Sequence, residues 1–225
     1  MTVLLSGYDR LTQELMFRVY AAEIPTADRK LRTHLSHNYA NDLLGAALLA
    51  DFGVKHAKIV RKGLEKPLLV HESLHMNISH CKGLAVAAIG KFALGVDAEP
   101  PRDVAEKLMR TVCMPAEMRA ILEQPQAQRA FYFSRLWTLK EAYAKYTGEG
   151  IRRPFSTMGF KLSTPPDSLR NDTLEFLHPA ACKVRFYQLV RGGDYAVSLC
   201  IPRLGIGGYD LSKLPDGWDM IRDGD

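Results

Sequence analysis

Residues 131–150 read FYFSRLWTLKEAYAKYTGEG, and most of what can be said about this chain grows outward from them. Phe133, Leu136, Leu139, Tyr143 and Tyr146 recur at three- and four-residue steps, the period of a helix with one apolar stripe. The pattern reaches back to about Gln126, and Gly148 and Gly150 close it, so a helix is predicted over 126–146. Trp137, Glu141 and Lys145 fall at i, i+4 and i+8 on one face, predicted to lie opposite the stripe. An i, i+4 Glu–Lys pair is also an ordinary surface device, worth roughly a few tenths of a kcal/mol. That bland reading leaves the tryptophan on the same face unexplained.

Some forty residues earlier stands GVDAEP, residues 95–100. Asp97 and Glu99 are two apart on a predicted strand, so both face one way while Val96 and Ala98 face the other. Two carboxylates on one face repel unless something positive lies between them. Hard oxygen donors of this kind suit magnesium, which keeps several waters and bridges to substrate phosphates. The alternative is an acidic strand end in solvent before the Pro100-Pro101 turn. With Glu141, the two sites offer three carboxylates that could share one divalent cation, and a lysine one helical turn beyond the third.

The flanking segments suggest an α+β chain. TVLLSGY at the start reads as a strand, and residues 26–52 as a helix stopped by Gly53. HMNISH reads as a short strand. LAVAAIG and FALGVDAE follow as two apolar runs around Gly90-Lys91, a hairpin signal. Pro100-Pro101 is the best boundary, dividing an N-terminal lobe over 1–99 from a C-terminal lobe over 100–225. Beyond it come helical segments at 104–111 and 115–123, then the 126–146 helix. The strands TLEFL, CKVRFYQLV and DYAVSLCIP follow, the last two joined across Arg191-Gly192-Gly193. The tail from Gly205 is Gly-rich and polar, with no pattern to read. Helices first and antiparallel strands later in each half suggest two similar lobes, although no sequence repeat is visible.

Composition narrows the class. The chain has 225 residues, 47% hydrophobic and 24% charged, an ordinary globular balance long enough to bury a core. A net charge of +5 suits an anionic ligand or an acidic protein partner. The basic residues are not interleaved with aromatics along a stripe, so no nucleic acid is expected as a partner. The four cysteines are widely spaced without a CxxC pair, which reads as free thiols in a reducing compartment. No signal peptide and no membrane association are expected, since LLGAALLA is the longest apolar run. The expected location is cytoplasmic.

Residues 66–83 add donors suited to a phosphorylated nucleotide. Lys66 precedes Pro67; Asn77 and Ser79 share one strand face; His80 ends the strand beside Lys82. The same stretch contains His71-Glu72-Ser73-Leu74-His75, which fits the HExxH pattern of zinc peptidases. That pattern needs a helix, yet Pro67 lies just upstream and strand-like MNIS follows, so the peptidase is a remote alternative.

In order, these pieces resemble the 4′-phosphopantetheinyl transferase superfamily, in its surfactin-synthetase-activating class. The family's signatures read here as Lys66-Pro67, Asn77-Ile78-Ser79-His80, Gly95-Val96-Asp97-Ala98-Glu99, and Trp137-Thr138-Leu139-Lys140-Glu141 through Lys145. The match spans about residues 43–151. Two departures stand out. Asn41-Asp42 precede Leu43-Leu44-Gly45 where the family often has a basic and a small hydroxyl residue, and Cys81 follows His80 where serine is common.

The resemblance implies a monomeric pseudo-dimer of two α+β lobes with coenzyme A between them. It implies transfer of the 4′-phosphopantetheine arm of coenzyme A to a serine of an apo acyl or peptidyl carrier protein, releasing adenosine 3′,5′-bisphosphate. Asp97, Glu99 and Glu141 would hold magnesium, with manganese a possible substitute. Asp97, Glu141 and Lys145 would be catalytic, with Glu141 the candidate base and Lys145 serving the departing phosphate. Arg29, Lys66, Ser79, His80, Lys140 and Lys145 would contact coenzyme A. A non-catalytic module that binds coenzyme A or carrier protein is the competing reading.

Overall fold

Apolar runs build two antiparallel sheets in the computed structural model, which describes residues 1–25, 32–60, 67–150, 154–162, 174–203, 206–210 and 212–222. In chain order the first half supplies β1 (Thr2–Asp9), β2 (Leu15–Glu23), α1 (Arg32–Phe52), β3 (Ile59–Val60), β4 (Leu68–Leu69), β5 (His75–Cys81), β6 (Leu84–Gly90) and β7 (Gly95–Glu99). The second supplies α2 (Glu106–Val112), α3 (Pro115–Glu123), α4 (Gln126–Thr147), β8 (Gly159–Leu162), β9 (Leu174–Leu177), β10 (Val184–Arg191), β11 (Tyr195–Pro202), β12 (Ile206–Asp210) and β13 (Trp218–Arg222). The five-stranded sheet runs β12-β1-β2-β6-β5 and the four-stranded sheet β13-β10-β11-β7, while β3-β4 and β8-β9 form small ribbons.

Strand alternation decides how the layers stack. Phe17, Val19, Val86 and Ala88 of the first sheet meet Val96, Ala98, Leu189, Val197 and Leu199 of the second in one core. The opposite side chains of the first sheet, Tyr20, Ala85, Ala87 and Ile89, pack on Ala40, Leu43, Leu44, Ala47 and Leu48 of α1. The far face of the second sheet, with Phe186, Ala196 and Cys200, packs on Phe133, Leu136, Leu139 and Tyr143 of α4. The order is therefore helix, sheet, sheet, helix. Because β6 is buried on both faces, it reads as a continuous apolar run instead of an alternating one. Leu44 and Leu48 are fully buried, each worth about 1.5–3 kcal/mol relative to exposure.

The structure corrects one expectation and adds strands that the sequence did not show. The apolar runs around Gly90-Lys91 do not pair as a hairpin. β6 is flanked on both edges by β2 and β5, so no edge remains for β7, which crosses to the other sheet and pairs with β11. The true hairpin joins β5 and β6 through Lys82-Gly83, where Cys81 faces Leu84 and Gly83 adopts a φ of +89°. After Gly205, residues 206–210 form β12, which pairs with β1, and residues 218–222 form β13, which pairs with β10. And β2, absent from the sequence reading, is the middle strand of the first sheet. Its Arg18 disguises it: this buried cation donates to Ser6 Oγ at 2.8 Å, Asp51 Oδ1 at 2.6 Å and the Tyr8 hydroxyl at 3.0 Å. Tyr20 completes the group by donating to Asp51 Oδ2 at 2.8 Å, which ties the end of α1 to the sheet.

The helices fall where expected, α3 over Pro115–Glu123 and α4 over Gln126–Thr147. The sheets do not separate at residue 99, because β7 lies in the second sheet and β12 in the first. Among the described residues no helix is long and apolar enough to cross a membrane.

Candidate active site

β5 and β7 are edge strands of different sheets that run side by side, with β7 beneath the C-terminal half of α4. The start of β7 is pressed against that helix. A Cβ on Gly95 would lie 2.1 Å from the Ala142 carbonyl oxygen and 2.4 Å from the Tyr146 nitrogen, so only glycine allows the approach. From there alternation does the rest. Val96 and Ala98 enter the core between the sheets, and Asp97 and Glu99 turn to the other side.

Asp97 is 5% exposed and held from two directions. Ser79 Oγ, from β5, donates to its Oδ1 at 2.8 Å, and Lys145 Nζ, from α4, donates to the same oxygen at 2.7 Å. Lys145 also donates to the Val96 carbonyl at 3.0 Å. Asp97 Oδ2 is buried with no hydrogen-bond partner among the described residues. Glu99 and Glu141 stand within its field. Burial, followed by repulsion from Asp97, raises each of their carboxyls from 4.5 to about 7, with Lys145 opposing the shift in both. Arg102 also opposes it at Glu99.

His80 is half-buried at the rim, its ring 5.9 Å from that of His37 on α1 at a steep tilt. Burial, then the neighbouring His37 and Lys145, lower the His80 pKa and favour the neutral ring, while Asp97 pulls the other way.

The sequence-derived residues divide into those brought together and those not. Asp97, Glu99, Glu141, Lys145, Ser79 and His80 share one neighbourhood. Lys140 does not, and its assignment to coenzyme A is corrected by its surroundings. It is 0% exposed, and its ammonium donates to Glu117 Oε2 at 2.6 Å, the Val112 carbonyl at 2.8 Å and the Phe155 carbonyl at 3.1 Å. All three N–H groups are committed inside the protein. Trp137 is likewise not on a polar surface. It stacks on Phe133 at 6.1 Å between centroids and meets Phe155 edge-on at 5.5 Å, with the Arg102 guanidinium 5.7 Å from its centroid. The reason is common to both: α4 is covered by the second sheet on one side and by α2, α3 and residues 155–160 on another. Arg29 and Lys66 lie outside the described residues.

The HExxH pattern has no helix to act through. Residues 72–73 form a bend, His75 opens β5, and His71, Glu72 and His75 are exposed. His71 Nδ1 instead accepts from the Ser73 amide at 3.2 Å. The sequence reading passed over Arg102 and His37 as well. Neither carries a local signal, since each reaches the site only through the packing of distant elements.

Among the described residues no three His, Cys, Asp or Glu side chains stand close enough together to enclose an ion as placed. The donor chemistry still fits a hard divalent cation that keeps most of its waters. A buried carboxylate oxygen has no partner, and two neighbouring carboxyls are driven toward protonation by negative charge and burial.

Comparisons with known proteins agree with this arrangement. Residues 93–200, from just before β7 through most of β11, match the family model described as the 4′-phosphopantetheinyl transferase superfamily. The chain is 31% identical over 129 residues to the 4′-phosphopantetheinyl transferase psf-1 of Bacillus pumilus, covering 57% of this chain and 53% of that protein. It is 35% identical over 96 residues to the 4′-phosphopantetheinyl transferase HetI of a Nostoc species, covering 39% and 40%. It is 24% identical over 128 residues to the 4′-phosphopantetheinyl transferase Sfp of Bacillus subtilis, covering 57% and 56%. The chain thus spans about half the length of the curated relatives it matches. The matched region contains Asp97, Glu99, Glu141 and Lys145, so the carboxylates and lysine of the site lie in the part of this chain that is similar to 4′-phosphopantetheinyl transferases.

Proposed function

We propose that this protein transfers the 4′-phosphopantetheine arm of coenzyme A to the hydroxyl of a serine on an apo acyl or peptidyl carrier protein, releasing adenosine 3′,5′-bisphosphate. The observation that carries the reading is Asp97: a buried carboxylate anchored on one oxygen by Ser79 and Lys145, open on the other, with Glu99 and Glu141 beside it.

The serine oxygen forms a bond to the phosphorus that bears the pantetheine, and the bond from that phosphorus to the oxygen bridging the two phosphates breaks. The electron pair leaves with the adenosine bisphosphate, and the serine proton passes to a base. Such a reaction asks the protein mainly to position groups and balance charge. Asp97, Glu99 and Glu141 would hold a magnesium or manganese ion, which when bound supplies charge stabilisation at the pyrophosphate oxygens. Glu141 takes the serine proton. Lys145, already within 2.7 Å of Asp97, offers its ammonium to the departing phosphate. His80 is at the rim of the same site, where an imidazole can meet the 3′-phosphate of the nucleotide. Arg29 and Lys66 remain further phosphate contacts on sequence grounds.

Two lobes are part of this proposal. Each sheet carries one long helix, α1 on the first and α4 on the second, and the carboxylates lie where the edges of the two sheets meet. A pseudo-dimer whose lobes follow the two sheets, with the chain crossing just before β7 and β12 returning to the first sheet, agrees with that symmetry of construction and would act as a monomer in the cytoplasm with coenzyme A between the lobes. The test is intact mass of candidate apo carrier proteins after incubation with the enzyme, coenzyme A and magnesium. A gain of one phosphopantetheine arm on the carrier serine is expected. No gain on fatty-acid, polyketide or peptide carriers would refute the assignment.

A further inference from the structure

Asp97 is placed by an unusual join. A β-strand edge normally finds a neighbouring strand or faces water, because unpaired buried N–H and C=O groups are costly. β7 pairs with β11 on one side only, and on its other side lies β5, which belongs to the other sheet. No backbone ladder links β5 to β7. The outward peptide groups of Val96 are met by side chains instead: Asn77 Oδ1, on β5, accepts from the Val96 amide at 2.8 Å, and Lys145 donates to the Val96 carbonyl at 3.0 Å. Two residues along the same face of β5, Ser79 donates to Asp97. Asn77 and Ser79 are 3% and 6% exposed, so neither interaction is diluted by water.

We infer that Asn77 is a positioning residue, whose side-chain amide stands in for the missing strand partner at Val96 and, with Ser79, sets Asp97 at the seam between the two sheets. The consequence is a choice of oxygen. With Val96 held, the strand keeps Asp97 within reach of Ser79 and Lys145, which both bind Oδ1 and leave Oδ2 for a cation. Asn77 itself touches no reacting group. This inference rests on the proposed transferase reading for what Asp97 does, but the tether can be measured without it.

The experiment is amide hydrogen exchange at Val96, together with manganese binding followed by electron paramagnetic resonance with coenzyme A present. In the wild-type protein the Val96 amide should exchange slowly, like the amides of β7 that pair with β11. In Asn77→Ala it should exchange about tenfold faster or more, the loss of one buried hydrogen bond. Manganese affinity should fall by roughly tenfold in the same variant, while the Kd for coenzyme A, measured by calorimetry at saturating manganese, stays within about twofold. Asn77→Ser, with a shorter acceptor, should lie between the two. If Val96 exchanges in the wild type as fast as an exposed loop, the tether does not exist, and that result needs no folded variant. If Asn77→Ala raises the Kd for coenzyme A and leaves manganese affinity unchanged, Asn77 is a ligand contact and the positioning role falls. Neither measurement uses a carrier protein, so failure of the transferase reading is seen separately, as absent modification.

Discussion

Lys140 offers the most direct confrontation between motif and structure. It belongs to the Trp-x-x-Lys-Glu pattern, and a family motif invites a ligand role. Its ammonium, however, is 0% exposed and spends its three protons on Glu117, Val112 and Phe155. Glu117 is equally enclosed, accepting from the Met114 amide at 2.7 Å and the Phe160 amide at 2.8 Å in addition to Lys140. The pair therefore ties α4 to the end of α2, the start of α3, residue 155 and β8. Replacing Lys140 by methionine keeps the volume but leaves a buried carboxylate without its countercharge and two carbonyls without their donor. Breaking a buried pair from one side costs about 3–5 kcal/mol. For a chain of this length that corresponds to a fall in Tm of roughly 6–20 °C.

The double variant Lys140→Met/Glu117→Gln removes both charges. The glutamine retains an acceptor for one of the two amides, so a substantial part of the lost stability should return. Thermal unfolding of the three proteins without coenzyme A is the assay, combined with the KM for coenzyme A measured well below the lowered Tm. The expected pattern is a large loss, partial recovery in the double variant and a KM within about twofold of wild type. A Lys140→Met protein of unchanged Tm and strongly raised KM would refute the clamp and return Lys140 to the ligand.

Glu141→Gln should slow carrier modification by at least about a hundredfold, since it removes a metal ligand and the proposed base together, while Glu72→Gln should leave it unchanged. Normal turnover in Glu141→Gln would sink the mechanism, and one zinc per chain that is lost in His71→Ala would revive the peptidase. The raised carboxyls give a pH signature. With folded pKa values near 7 against 4.5 unfolded, Glu99 and Glu141 contribute stability below about pH 4.5 that is lost as pH rises through 7. Magnesium must displace those protons, so it should raise Tm more at about pH 8 than at about pH 5.5. Equal shifts at the two pH values would remove these carboxylates from the metal.

What the sequence made legible is what a single element can show. The period of three and four residues located α4 within one residue of its end, and alternation put Asp97 and Glu99 on the face away from the core. What it hid depends on partners far along the chain. Nothing local in FALGVDAE says that its strand leaves β6 and joins β11 about a hundred residues later, because a buried apolar strand suits either neighbour. Nor does helical spacing reveal that a second layer covers the side of α4 bearing Trp137 and Lys140, since the period tells which residues share a face and not what that face meets. The two oxygens of Asp97 show the limit most clearly. They are identical in the sequence and differ only because Ser79, 18 residues before, and Lys145, 48 residues after, both arrive at Oδ1. Which oxygen is free for chemistry is therefore a property of the seam between two sheets, and a seam has no motif of its own.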